Sequence, residues 1–492
     1  MNNIKKLAGQ TVVYGLGTII PRVLNYLILT PFYTRIFLKG EYGVITELYA
    51  YVAFLMVLLT YGMETGFFRF SEQEKNPDKV YSTSLISLFI TSLLFIILII
   101  NFAQPIADLI QYSSNKEYII WFGIIISCDA FSTIPFARLR QQNKALKFSL
   151  IKIFNVSVNI GFNVFFFIIC PYLEKHYSFS FIDRIYSKEI GVGYAFISNL
   201  IASILTLFLL FKDVIKVKLY FDFSLLKNIL KYSYPLLIVG LAGMINEVAD
   251  KVFLKYLLPE NINAMEQVGI YGANYKLAIL MTIFIQMFRF AAEPFFFKQV
   301  KEKNPKETYA DVMKYFIIFG LFIFLGVMLY MDIVKYFIDD KFHEGLKIVP
   351  IVLIANLFLG IFYNLSVWYK INNLTHFGAM IAIFGAIVTI ILNIILIPKI
   401  GYLGSAYATF VCYLTMMFFS YFLGQHFYKI KYDIKTIVIY FIVALGLYFI
   451  SVKFEQENEV IKLSINTLLI IVFIITVMFL EKISIRTIRA NK

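Results

Sequence analysis

Charge is what this sequence has least of. Only 15% of its 492 residues are Asp, Glu, Lys or Arg, where soluble domains carry roughly a quarter. Cysteine is nearly absent. Cys128, Cys170 and Cys412 have no paired spacing and each falls inside an apolar run, which excludes a disulfide scaffold and marks them as small buried hydrophobes. The four histidines, His176, His343, His376 and His426, sit in loops or at the ends of apolar runs. That placement argues against a haem or an intramembrane metal site, and no cofactor is expected. A signal-peptide core is missing too. Lys5 and Lys6 precede a run to about Phe37 that is too long and has no small-residue cleavage site, so it reads as a retained first helix.

What is present is apolar surface. Hydrophobic residues make up 60% of the chain and aromatic residues 18%, including 52 Phe and 34 Tyr, and the mean hydropathy is +0.76. A spanning helix takes about 20 apolar residues, so this content allows on the order of 14 of them. A soluble enzyme and a disordered chain are both excluded.

Apolar runs broken by charge give 14 expected spans, near 9–36, 42–67, 81–104, 117–137, 148–171, 190–211, 232–257, 267–297, 309–333, 348–369, 374–397, 401–426, 436–452 and 463–481. Alternating the intervening loops puts 28 basic residues on the side of the N-terminus and 13 on the other. By the positive-inside rule both termini are then cytoplasmic. Most of the +14 net charge is accordingly a topology signal, and no nucleic-acid partner is expected.

The chain also repeats itself. Tyr42-Gly43 leads to Glu64, Phe67-Phe68-Arg69, Glu74-Lys75-Asn76-Pro77 and Tyr81. Tyr271-Gly272 leads to Glu293, Phe296-Phe297-Lys298, Glu302-Lys303-Asn304-Pro305 and Tyr309, with one single-residue gap between the two blocks. The repeat equates the second span with the eighth, so the unit has six helices and keeps its orientation. Parallel repeats of this kind enclose a substrate path and work by rocking. The expected domains are an N-lobe over 1–211, a cytoplasmic linker over 212–231, a C-lobe over 232–427, and two further helices with a tail over 428–492.

Few ionisable groups break the spans, and such groups at membrane depth face a cavity or a partner. Arg22 follows Pro21 in the first span, roughly 20 Å deep. Asp129 lies in the fourth span, Glu247, Asp250 and Lys251 in the seventh, and Lys276, Arg289 and Glu293 in the eighth. Arg22, Lys251, Lys276 and Arg289 are the candidate substrate-binding cations, suited to an anion, with the guanidinium fork matching phosphate. Glu64, Asp129, Glu247, Asp250 and Glu293 are candidate coupling or ion-pair acids. Two of these, Glu247 with Lys251 and Glu293 with Arg289, stand at i, i+4 to a cation, so internal pairing competes with a transport role. Glu64 and Glu293 occupy equivalent repeat positions, which favours a shared structural role, and Lys276 can instead snorkel to the outer interface.

Gly15-Leu16-Gly17, Pro21-Arg22, Thr30-Pro31 and Thr34-Arg35, the Glu41-Tyr42-Gly43 start of the second span, and Phe288-Arg289-Phe290-Ala291-Ala292-Glu293-Pro294-Phe295-Phe296 resemble the bacterial oligosaccharide flippase (polysaccharide biosynthesis protein) family. That family belongs to the multidrug/oligosaccharidyl-lipid/polysaccharide exporter superfamily, and the resemblance covers essentially the whole chain. It implies an all-α polytopic fold of the multidrug-exporter (MATE-like) type. The implied substrate is an undecaprenyl-pyrophosphate-linked oligosaccharide, moved across the cytoplasmic membrane for O-antigen, capsule or exopolysaccharide synthesis. Arg22 would match the cation that relatives place in a central cavity. Membrane lipid and assembly proteins such as a polymerase are the implied partners of a monomeric, non-enzymatic chain. A cation antiporter of the same superfamily would instead need an acid at depth in the N-lobe, where Asp129 is the clearest. A membrane polymerase or ligase would need a larger outer loop than about 171–190.

Overall fold

Helices follow the expected spans closely. In the computed structural model, which describes residues 2–176, 182–299, 304–454 and 458–482, there is no strand among the described residues. The first half contains α1 (Asn2–Ile36), α2 (Lys39–Thr60), α3 (Met63–Gln73), α4 (Pro77–Asn101), α5 (Lys116–Gln141), α6 (Ala145–Val164) and α7 (Gly193–Ile215). Next come α8 (Phe223–Leu257), α9 (Ala264–Leu277), α10 (Ile279–Gln299), α11 (Pro305–Leu329) and α12 (Val349–Leu365). The chain closes with α13 (Thr375–Ile400), α14 (Tyr402–Phe427), α15 (Ile434–Lys453) and α16 (Glu459–Leu480).

Among the described residues, eleven spans are long and apolar enough to cross a membrane, α2 and α3 counting as one, and twelve with the bent pair α9–α10. Helices also cover the first and seventh expected spans, as α1 and α8. In α8, Glu247, Asp250, Lys251 and Lys255 lower the hydropathy. The described residues thus support eleven or twelve of the 14 expected crossings by length and hydropathy. The helices turn apolar side chains outward, including Phe89, Leu94 and Leu98 on α4 and Ile387, Ile391 and Ile394 on α13. Water would not tolerate so much exposed aliphatic surface, whereas lipid favours it.

Two expected spans are broken. The second breaks at Tyr61-Gly62, both with positive φ (34° and 71°). Glycine is needed there because left-handed backbone disfavours a side chain, and a Cβ at Gly62 would also lie 3.2 Å from the Ser233 carbonyl oxygen. The eighth breaks at Ala278, where the axis bends by 54°. No proline or glycine stands at this break. Instead α9 is held to the segment Asp340–Ile348, with the Asn274 side-chain amide donating to the Phe342 carbonyl at 2.8 Å, while α10 packs on α11 and α12.

The contacts divide the chain into two compact units, Met1–Val248 and Ala249–Lys492. In the first, a core of Met63, Phe67, Tyr81, Leu85, Ile134 and Ile229 joins α3, α4, α5 and α8. In the second, Ala355, Phe362, Ile381, Cys412, Tyr413 and Met416 join α12, α13 and α14. The duplicated motif has a physical meaning in each. Asn76 caps α4 by accepting the Asp78 N–H at 3.1 Å, with Pro77 at the first helical position. Asn304 and Pro305 hold the same positions at the start of α11, but there the Asn304 side chain accepts no backbone N–H and its amide instead donates to Glu307 at 3.2 Å. Phe67 meets Tyr81 edge-on at 6.2 Å, and Phe296 meets Tyr309 edge-on at 5.3 Å, contacts worth about 1 kcal/mol each beyond their burial.

Seven residues, 216–222, separate α7 from α8, and they are tied to α4. The Tyr220 N–H donates to Ser82 Oγ at 2.5 Å, and Lys79 pairs with Asp222 at 2.7 Å. Lys79 holds the Asp222 carboxyl below the usual carboxylate range.

Candidate functional site

In the first unit, charged and polar groups gather on α1, α3, α5 and α6. Helix α1 runs unbroken through Pro21 and Pro31, and Arg22 is exposed on its surface, roughly 20 Å from the helix end at Ile36. Close approach of α1 to α6 requires Gly17, because a Cβ there would collide with Ser149. The approach places Lys152 of α6 within electrostatic range of Arg22, Asp129 and Glu64. The Lys152 ammonium also lies 4.0 Å above the Phe136 ring. Amides continue the polar track: Asn159 donates to Asn25 at 3.5 Å, Tyr33 donates to Asn163 at 2.7 Å, and Asn155 donates to Thr206 at 2.9 Å.

Of the acids expected in this unit, Asp129 is half-buried on α5 and Glu64 of α3 is ion-paired with Arg140 at 2.5 Å. That pair gives Glu64 a structural partner. Glu247 is exposed on α8.

The second unit holds two arrangements. Asp250 of α8 is buried and accepts from Tyr271 OH at 2.5 Å, while Lys251 approaches it at 3.1 Å. The Lys251 ammonium also lies 4.6 Å above the Tyr275 ring. A buried carboxylate with a hydroxyl donor and an ammonium is well satisfied, so this group is an ion pair supported by two tyrosines. Lys276 is apart from it, exposed at the last turn of α9 beside the 54° bend.

The other arrangement is a pocket at the α10–α12 contact. The Arg289 guanidinium stacks 3.9 Å over the Tyr363 ring, and Ser366 and Lys370 complete the polar part of the lining. Its remaining wall is apolar, with Phe288, Ala292, Phe296, Val367 and Ile371. The Glu293 side chain lies outside the described residues.

Within each unit the expected cations keep different company. In the first, Arg22 lies in electrostatic range of Lys152; in the second, Lys251 pairs with Asp250 and Arg289 shares a pocket with Lys370. Three groups escaped the sequence reading. Lys152 is not among the expected cations but lies inside α6 within range of Arg22. Lys370 is not among them either, yet it lines the pocket. Glu47 of α2 is fully buried, accepting from Tyr112 OH at 2.6 Å and Tyr51 OH at 3.1 Å. An acid inside an apolar run was the available signal for Glu47, and it applied there as well as at Asp129. Among the described residues, no group of three His, Cys, Asp or Glu side chains could hold a metal ion.

The description of one protein family, polysaccharide biosynthesis protein, fits residues 7–300. The chain belongs to that family. Within it, the repeated Tyr-Gly block and both broken spans fall almost wholly inside the matched region. No curated protein sequence matches the chain. Solved structures do share its fold. A lipid II flippase MurJ in an inward closed conformation superposes with a TM-score of 0.73 at 18% identity, over 96% of this chain and all of that one. An inward-facing multidrug resistance MATE family transporter of the MOP superfamily gives 0.62 at 14% identity, covering 85% of this chain and 94% of that one. Its outward-facing counterpart gives 0.58 at 13% identity, covering 85% and 95%. This family member is therefore a multi-pass membrane protein with the fold of these transporters.

Proposed function

We propose that the protein flips undecaprenyl-pyrophosphate-linked oligosaccharide units from the cytoplasmic to the periplasmic leaflet of a bacterial inner membrane, supplying O-antigen, capsule or exopolysaccharide synthesis. Such a substrate has an anionic head, a polar glycan and a tail that can stay in lipid. It needs cations at membrane depth and a polar track beside them. The observation that carries the reading is Arg22, a guanidinium exposed well inside a helix, with the asparagines of α1 and α6 beside it. Its forked donors suit pyrophosphate, and no enzyme-like triad is required of it. Membership of the polysaccharide biosynthesis protein family and a fold shared with a lipid II flippase support the same substrate class. The repeat supports two lobes, 1–211 and 232–427, that alternate access by rocking. Polymerases and other assembly proteins would then act beside a monomeric flippase.

The test is Arg22→Ala in the native host. Surface polysaccharide is expected to fall at least tenfold at normal protein level, and undiminished export would overturn the assignment.

A multidrug or cation antiporter is the second reading, favoured by the half-buried Asp129 near Lys152 and by the fold shared with multidrug transporters. Drug-resistance assays in an efflux-deficient host separate the two, because a flippase of lipid-linked glycan confers no cation efflux.

A further inference from the structure

The α10–α12 pocket has a chemistry that the transport reading leaves unused. Two cations, Arg289 and Lys370, and the hydroxyl of Ser366 share it with an apolar wall that includes Phe288, Val367 and Ile371. Arg289 lies against Tyr363 at 3.9 Å. Stacking fixes the plane of the guanidinium while leaving its edge N–H groups able to donate. Lys370 adds a second positive charge, and Ser366 holds its own hydroxyl in place by donating to the Tyr363 carbonyl at 2.6 Å.

Positive donors on one side and hydrocarbon on the other match an amphiphile with an anionic head. A free inorganic anion would gain nothing from the apolar wall. Lys370 also lies in the short helix Val367–Ile371, at the end of the tenth expected span on the side with the excess of basic residues, where anionic lipid headgroups meet clustered lysines and arginines.

We infer that this pocket binds the phosphate headgroup of an anionic membrane lipid, with Arg289 as the oriented fork, Lys370 as the second charge and the aliphatic wall against the first part of the lipid chain. The site lies within one compact unit, and a lipid-binding measurement reads it whatever role Arg22 has.

The test uses the purified full chain in detergent, titrated with short-chain phosphatidylglycerol, with phosphatidylcholine of the same chain length, and with inorganic pyrophosphate. Phosphatidylglycerol is expected to bind at least tenfold more tightly than phosphatidylcholine, and R289Q/K370Q is expected to abolish that preference. R289K, which keeps the charge but loses the planar stack, is expected to retain a reduced preference. It serves as the second variant should the double substitution fail to fold. Equal binding of both lipids by the unaltered chain would overturn the inference, as would an undiminished preference in R289Q/K370Q. Pyrophosphate that binds the pocket as tightly as phosphatidylglycerol would overturn the lipid assignment and leave a soluble-anion site.

Discussion

Single side chains in this protein are decided by what satisfies them. Glu47 has no exposed surface, yet two tyrosine hydroxyls donate to it. Replacing it by leucine would remove the acceptor of both hydroxyls, and a buried polar group left unsatisfied costs about 1–3 kcal/mol. Glu47→Leu is therefore expected to lower the melting temperature in detergent clearly, whereas Glu47→Gln, which keeps an acceptor, should lower it much less. Equal melting of the two variants would show that the tyrosines do not depend on this acceptor. The same scale shows why parts of the site were legible and others were not. Arg22, Asp129 and Asp250 stand out because charge interrupts an apolar run. Tyr363 under Arg289 is 74 positions away in the chain, and no local pattern could pair them. Lys152 and Lys370 did not stand out because a lysine near the edge of a span looks the same whether it faces solvent or turns inward.

Helices are held to their neighbours by a few polar clasps. The last two, α15 and α16, depend on Glu481. Its nearly buried carboxylate pairs with Lys314 of α11 at 2.7 Å and accepts from Tyr440 of α15, also at 2.7 Å. Removing the acid leaves Lys314 with weaker compensation, and breaking such a pair costs about 3 kcal/mol. Glu481→Ala should speed hydrogen exchange across α15 and α16 while leaving α4 and α5 unchanged. A uniform change over the whole chain would argue that these two helices are not held independently. Span existence was readable from hydropathy at this scale, and the caps were readable from Asn-Pro. The break at Ala278 was not, because it comes from the contact of Asn274 with Phe342 across 68 residues.

For the whole molecule, loop charge makes the firmest statement. The basic residues divide 28 to 13 between the two sides expected for the loops, so reporter fusions at both ends of the chain are expected to read cytoplasmic. A periplasmic reading at either end would remove one crossing from the expected count and invert the two-lobe arrangement. The repeated block of the sequence recurs once in each compact unit. Its surviving identities are those that start a helix or lock an aromatic pair, which explains why the duplication was visible in sequence although most of the lipid-facing residues have diverged.

The two broken spans carry that history further. Counted from the shared Tyr-Gly, the first half breaks 18 residues after Gly43 and the second only 6 after Gly272, a difference of roughly 18 Å along a helix. The breaks therefore fall at different points along the two copies. A chain assembled from two first halves would keep every anchoring residue and yet carry its second break 18 residues after the shared glycine instead of 6. The two copies share their anchors, but they are not interchangeable parts.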